Sequence, residues 1–105
     1  MFNLQTLKQL EADVGTDVLA QLMTVFCNES TQLTEQLMAC NTLDDECVRL
    51  SHSLKSCARS YGADTLASLA ETLETLSKTQ SEEFFTQRKQ LPAIQSETLA
   101  AAPKY

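Results

Sequence analysis

The sequence predicts an all-α domain: a four-helix up-and-down bundle preceded by a short N-terminal lid helix. Three observations carry this. Only two glycines and two prolines interrupt 105 residues rich in Leu, Ala, Glu, Gln and Thr, a composition that makes helices with few tight turns and little strand. Apolar residues recur three and four apart along nearly every segment, the period of one helix face. A chain of 105 residues supports one core, and so one domain over residues 1–105 with no separate catalytic lobe.

Residues 3–14, NLQTLKQLEADV, place Leu4, Leu7 and Leu10 along one side and stop at Gly15, the pattern of a short helix ended by glycine. This is the lid, residues 1–15. Thr16 or Asp17 is the expected cap of the next helix, which should run to about residue 41 with Val18, Leu19, Leu22, Phe26, Leu33, Leu37 and Cys40 on one side. Glu29 and Gln36 interrupt that stripe and read as partly exposed residues at a bundle edge. Thr42, ahead of Leu43, Asp44 and Asp45, is the expected cap of a third helix that continues to Gly62, a natural left-handed terminator. Asp64 then opens a fourth, with Leu66, Leu69, Ala70, Leu73 and Leu76 at helical spacing. Ser81, Glu82 and Glu83 start a last helix carrying Phe84, Phe85, Leu91 and Ile94, bent or broken near Pro92. The bundle thus spans residues 16–95, and residues 96–105, ending in AAAPKY, read as a frayed tail. Short connections favour antiparallel neighbours, and a self-contained core is most simply a monomer.

A net charge of −6 and a pI near 4.6 argue against nucleic acid and against an anionic membrane surface, since both need a basic face. No apolar run approaches the roughly 20 residues of a membrane span, and no secretory leader pattern is seen, so the expected location is the cytoplasm. Cys27, Cys40, Cys47 and Cys57 form no CxxC and have one histidine to join them, so no metal site is expected; they read as small, mostly buried hydrophobes rather than as a metal or redox centre.

The stretch HSLKSCARSYGA, residues 52–63, holds the single histidine, with Lys55 and Arg59 after it. On a helical wheel at about 100° per residue, Cys47, Leu50, Leu54, Cys57, Ala58 and Tyr61 fall within about 60° of Leu54 and form the core stripe. His52 lies about 160° from Leu54, with Lys55, Ser56 and Arg59 between about 100° and 200°, so His52 faces water or a partner. An imidazole among cations is disfavoured as a cation itself and so is a neutral nucleophile. It can attack phosphorus, and Lys55 and Arg59 can attract the negative charge that the phosphoryl group brings. Ser56 is small enough to leave the face open for another protein to approach. A hydrolytic triad would need an enclosed pocket, and a phosphate-cradling glycine loop is missing, so neither hydrolysis nor autokinase activity is expected.

The run His52, Leu54, Lys55, Ala58, Tyr61, Gly62, Ala63, Leu66, Ala70 and Leu73 resembles the signature of histidine-containing phosphotransfer domains. Ser56, where the family usually has glycine, and Tyr61, where phenylalanine or leucine is commoner, are mild departures. The segments VGTDVLAQLMTVF and SHSLKSCARSYGAD look most like the small free-standing phosphotransfer proteins of bacterial quorum-sensing relays. The resemblance implies a four-helix bundle whose exposed histidine takes a phosphoryl group from an aspartate in the receiver domain of a hybrid sensor kinase and passes it to an aspartate in the receiver domain of a response regulator. His52 maps to the phosphoacceptor, Lys55 to the neighbouring cation, and Ser56 and Gly62 to the small position and the turn of the docking surface. Arg59 comes from the wheel and not from the family. The receiver would supply Mg²⁺, leaving this chain without a cofactor. The rival expectation is a helical adaptor that binds a signalling partner without carrying phosphate.

Overall fold

In the computed structural model, which describes residues 2–105, every regular element is helical. The order is α1 (Leu4–Val14), α2 (Thr16–Met38), α3 (Asp45–Ser60), α4 (Asp64–Lys78), α5 (Glu83–Gln87), a 3₁₀ turn (Arg88–Gln90) and α6 (Leu91–Ala101). Helix α3 packs on α2 and α4, and α6 packs on the same two, so these helices enclose one core while α1 lies on α2. Phe26, Phe84, Leu19, Leu37, Leu54, Leu66, Leu73 and Leu91 are fully buried in it. Residue 52 pairs with 74 and residue 59 with 71, so α3 and α4 run antiparallel.

Several elements differ from the expectation, each for a local reason. Helix α2 starts at Thr16 with Gly15 in the cap position and no side-chain cap, so neither Thr16 nor Asp17 caps it. Its buried stripe turns slightly: Met23 enters the core while Val18 remains 42% exposed and Leu22 half-buried. Its end comes at Met38, where Arg88 Nη1 donates to the carbonyls of Leu37 and Cys40 at 3.0 and 2.6 Å, satisfying acceptors that a helix C-terminus leaves open. The cap of α3 is Asp44 rather than Thr42; Asp44 has the extended backbone of an N-cap and its Oδ1 accepts from the Cys47 N–H at 3.0 Å. Thr42 acts one step out, donating to Asp44 Oδ2 at 3.1 Å. The tail is not frayed from residue 96. Helix α6 continues to Ala101 because Gln95 and Thr98 are buried against the bundle, and Pro92 sits in its first turn, where a missing N–H costs nothing.

The turn after α3 sets the position of everything that follows. Gly62 has φ +76°, with Ala63 N–H donating to Ala58 O at 2.9 Å and Gly62 N–H to Arg59 O at 3.2 Å, the two bonds of a Schellman stop. The lid lies directly over it: Asn3 N–H donates to Gly62 O at 2.7 Å, and Phe2 pairs with Ala63 in an isolated antiparallel bridge. Phe2 and Tyr61 both pack on Phe26, with ring centroids 5.8 and 5.0 Å away. Gly62 is therefore buried beneath Asn3 and Thr6, which removes it from the docking surface that the resemblance suggested.

A Cβ at Gly62 would stand 3.0 Å from Thr6 Cβ and 3.1 Å from Asn3 O, in a backbone conformation that side chains rarely adopt. Gly62→Ala should lower stability by about 1–3 kcal/mol and loosen the lid. Gly15→Ala, strained but with open space around its Cβ, should cost less. Urea titration of both variants checks this; a Gly62→Ala midpoint equal to that of the parent would contradict it.

Candidate functional site

The α3–α4 seam is built by two stripes that meet. On α3, Lys55, Arg59 and His52 lie to one side of the buried arc, and on α4 the acids Glu71 and Glu74 lie to the side that faces them. Glu74 falls between the buried Ala70 and the buried Ser77, so its backbone is in the core wall and its carboxylate has 6% side-chain exposure. Charge at that depth needs partners. Three side chains supply them: His52 Nδ1 at 2.9 Å and Lys78 Nζ at 3.2 Å on Oε2, and Lys55 Nζ at 2.5 Å on Oε1. Burial alone pushes the Glu74 carboxyl up, but hydrogen bonds from Lys55, Lys78 and His52 outweigh it and hold the group down at about 2.

The ionised carboxylate settles the chemistry of the imidazole. It can only accept hydrogen bonds, so Nδ1 of His52 must carry the hydrogen. In the neutral ring Nε2 then holds the free lone pair. The His52 side chain is 59% exposed, so a ring held at Nδ1 by Glu74 presents a nucleophilic nitrogen at the surface. Beside it, a shallow open hollow is lined by Leu10, Glu29, Ser53, Ser56, Cys57 and Tyr61. Ser56 is exposed on this floor and carries no bulk above it.

The residues singled out from the sequence are thus divided. His52 and Lys55 meet on one carboxylate, with Lys55 reduced to 18% side-chain exposure and fully engaged with Glu74. The surroundings of the ring are therefore not simply cationic. Arg59 points to Glu71 at 2.6 Å, a separate exposed pair further along the seam. Glu74 and Lys78 were missed. A signal for Glu74 existed: on the α4 wheel it lies inside the arc bounded by Ala67, Ala70 and Ser77, an acid where only small or apolar residues otherwise stand.

The cysteines are unpaired, and no three of His, Cys, Asp or Glu among the described residues converge as metal ligands. Burial, assisted by the neighbouring Cys40, pushes the Cys47 thiol up to about 12, and burial with the charge of Glu29 does the same for Cys57, so both are thiols rather than ligating thiolates. No helix of the described residues is long and apolar enough to cross a membrane.

A family model described as the Hpt domain matches residues 21–101, which include α3, α4 and the whole Glu74 network. No curated protein and no solved structure matches the chain.

The Glu74 network has a pH signature with a definite sign. Its carboxyl titrates at about 2 in the fold against an ordinary 4.5, so between those values the unfolded chain binds the extra proton. The stabilisation is complete above about pH 4.5 and disappears as pH falls towards 2. Because His52 and Lys78 are in solvent, screening limits it to the order of 1–3 kcal/mol. Denaturant titrations from pH 6 to 2 should show that loss in the parent and a shallower decline in Glu74→Gln, which starts from lower stability at neutral pH. Parallel pH profiles would contradict it.

Proposed function

Because the chain belongs to the Hpt domain family, a family of phosphocarrier modules that work with receiver domains in phosphorelays, we propose that His52 is its phosphoacceptor. In this reading His52 takes a phosphoryl group from an aspartate in the receiver domain of a hybrid sensor kinase and passes it to an aspartate in the receiver domain of a response regulator. The observation that carries the reading is the buried, ionised Glu74 on Nδ1 of an exposed His52.

The step needs little from this chain beyond a positioned nucleophile. The Nε2 lone pair attacks the phosphorus of the aspartyl phosphate, the P–Nε2 bond forms, and the P–O bond to the aspartate breaks with its electron pair returning to that carboxylate. No proton has to leave Nε2, because the hydrogen is on Nδ1. The ring becomes positively charged on phosphorylation, and its Nδ1–H then binds Glu74 more strongly. Transfer to the second aspartate reverses these bonds. The acidic pocket and its Mg²⁺ belong to the receiver, and no cofactor is assigned to this chain.

The packing of α2, α3, α4 and α6 around one core supports a four-helix up-and-down bundle with α1 as its lid, and in this reading it acts as a monomer in the cytoplasm. The hollow beside His52, floored by Ser56, is where the receiver would sit. The segments that look like quorum-sensing relay proteins favour a relay of that kind. A phosphate-free adaptor would have no use for a histidine held with one nitrogen bonded and the other free.

His52→Gln should abolish phosphate acceptance from a phosphorylated receiver domain while changing stability by no more than about 0.5 kcal/mol, as is usual for exposed positions. Acid-labile phosphate on that variant would count against His52. Lys55→Ala leaves Glu74 short of its shortest contact, so it should both slow transfer and lower the melting temperature, whereas Arg59→Ala should do less on each count. Ser56→Gly should transfer like the parent and Ser56→Arg more slowly; equal rates for the arginine variant would show that the hollow is not where the receiver docks.

A further inference from the structure

We infer that Lys78 is the cation that meets the phosphoryl group on His52, the part that the outward face of α3 suggested for Arg59. This rests on the carrier role proposed for His52. Three cations lie along the seam, and only one is placed and free enough for the task. Lys55 is 18% exposed and held at 2.5 Å on Glu74 Oε1, so it serves the carboxylate. Arg59 is engaged at 2.6 Å by Glu71 and stands seven residues from His52, about 10 Å along the helix axis. Lys78 comes from the other helix. It binds the same Oε2 that accepts from His52 Nδ1, so by the two contact lengths its Nζ is no more than about 6 Å from the ring nitrogen.

The contact of Lys78 is the longest of the three to Glu74, at 3.2 Å, and its side chain is 60% exposed. An exposed pair at i,i+4 is among the weaker ion pairs, so releasing it costs little. Phosphorylation changes the balance around Oε2. The ring gains positive charge and its Nδ1–H hydrogen bond to Glu74 strengthens, while Lys55 stays in place on Oε1. Glu74 is then satisfied without Lys78. At the same moment about two negative charges arrive on Nε2, across the same ring and within the sweep of the Lys78 side chain. A flexible four-carbon stem carrying a compact ammonium suits the move from the carboxylate to the phosphoryl oxygens. No bond to phosphorus is made or broken by Lys78; it lowers the energy of the phosphorylated state.

The test compares the parent with Lys78→Gln, Lys78→Arg and Lys89→Gln, the last removing one positive charge from a lysine that makes none of the contacts of the site. Each is equilibrated with a phosphorylated receiver domain, and the phosphorylated fraction and the half-life of the isolated phosphohistidine form are read. Lys78→Gln should shift the equilibrium about three- to tenfold against the phosphorylated form, less at high salt, with Lys78→Arg within about twofold of the parent and Lys89→Gln unchanged. Denaturant midpoints recorded alongside should stay close to the parent. The inference is overturned if Lys78→Gln keeps the equilibrium of the parent, or if Lys89→Gln reproduces its defect. A parent chain that takes no phosphate removes the carrier role itself, a different failure that needs no variant to be seen.

Discussion

A carboxylate in the wall of a helical core is tolerable only if donors reach it, and this molecule is arranged around satisfying one. Glu74 is held by Lys55 from α3, by Lys78 from its own helix and by the ring of His52. Each contact has a different consequence. Lys55 keeps the acid ionised at depth, His52 is oriented by it, and Lys78 remains at the surface with charge to spare. Remove the acid and Lys55 is left partly buried without a partner, while the imidazole is free to rotate and to exchange tautomers.

The rest of the fold serves that arrangement by fixing the register of α3 against α4. The Schellman stop at Gly62 reverses the chain within three residues, Tyr61 to Ala63, so residue 52 must come level with residue 74. A slip of one residue on α4 would rotate Glu74, and on α3 His52, by about 100°, separating the acid from the ring. The lid guards this register. Asn3 binds the Gly62 carbonyl and Phe2 packs on Phe26, which also carries Tyr61, so the turn is held from the outside as well as by its own bonds. At the opposite end Arg88 ties the Leu37 and Cys40 carbonyls, at and just beyond the end of α2, to the segment that follows α5.

The helices were legible because their signals are local and periodic: the Gly15 and Gly62 stops, the leucine spacing of α4 and the core stripe of α3 follow from the chain alone. His52 was legible for the same reason, since its angle on one helix places it in solvent. What escaped depends on pairing between helices. Arg88 donates to the carbonyls of Leu37 and Cys40, 51 and 48 residues away along the chain, and nothing in its neighbourhood says so. Glu74 could have been noticed as an acid inside a buried arc, but its three partners come into view only when α4 is set beside α3. Arg59 was singled out because a single wheel shows which residues share a face and not which acid waits across the seam. The full length of the last helix is hidden in the sequence because Gln95 and Thr98 look like surface residues until α6 packs: Gln95 donates to Ser30 and Thr31, while the Thr98 hydroxyl turns back to the Ile94 carbonyl.

Glu74 fixes His52 with its hydrogen on Nδ1 and its lone pair on Nε2. Nitrogen-15 NMR of the imidazole reads this directly, because protonated and unprotonated ring nitrogens of a neutral histidine resonate far apart. At a pH where the ring is neutral, the parent should show Nδ1 bonded to hydrogen and Nε2 bare, and Glu74→Ala should show a mixture of the two tautomers. A parent ring with its hydrogen on Nε2, or with the same tautomer balance as Glu74→Ala, would mean that Glu74 does not set the tautomer.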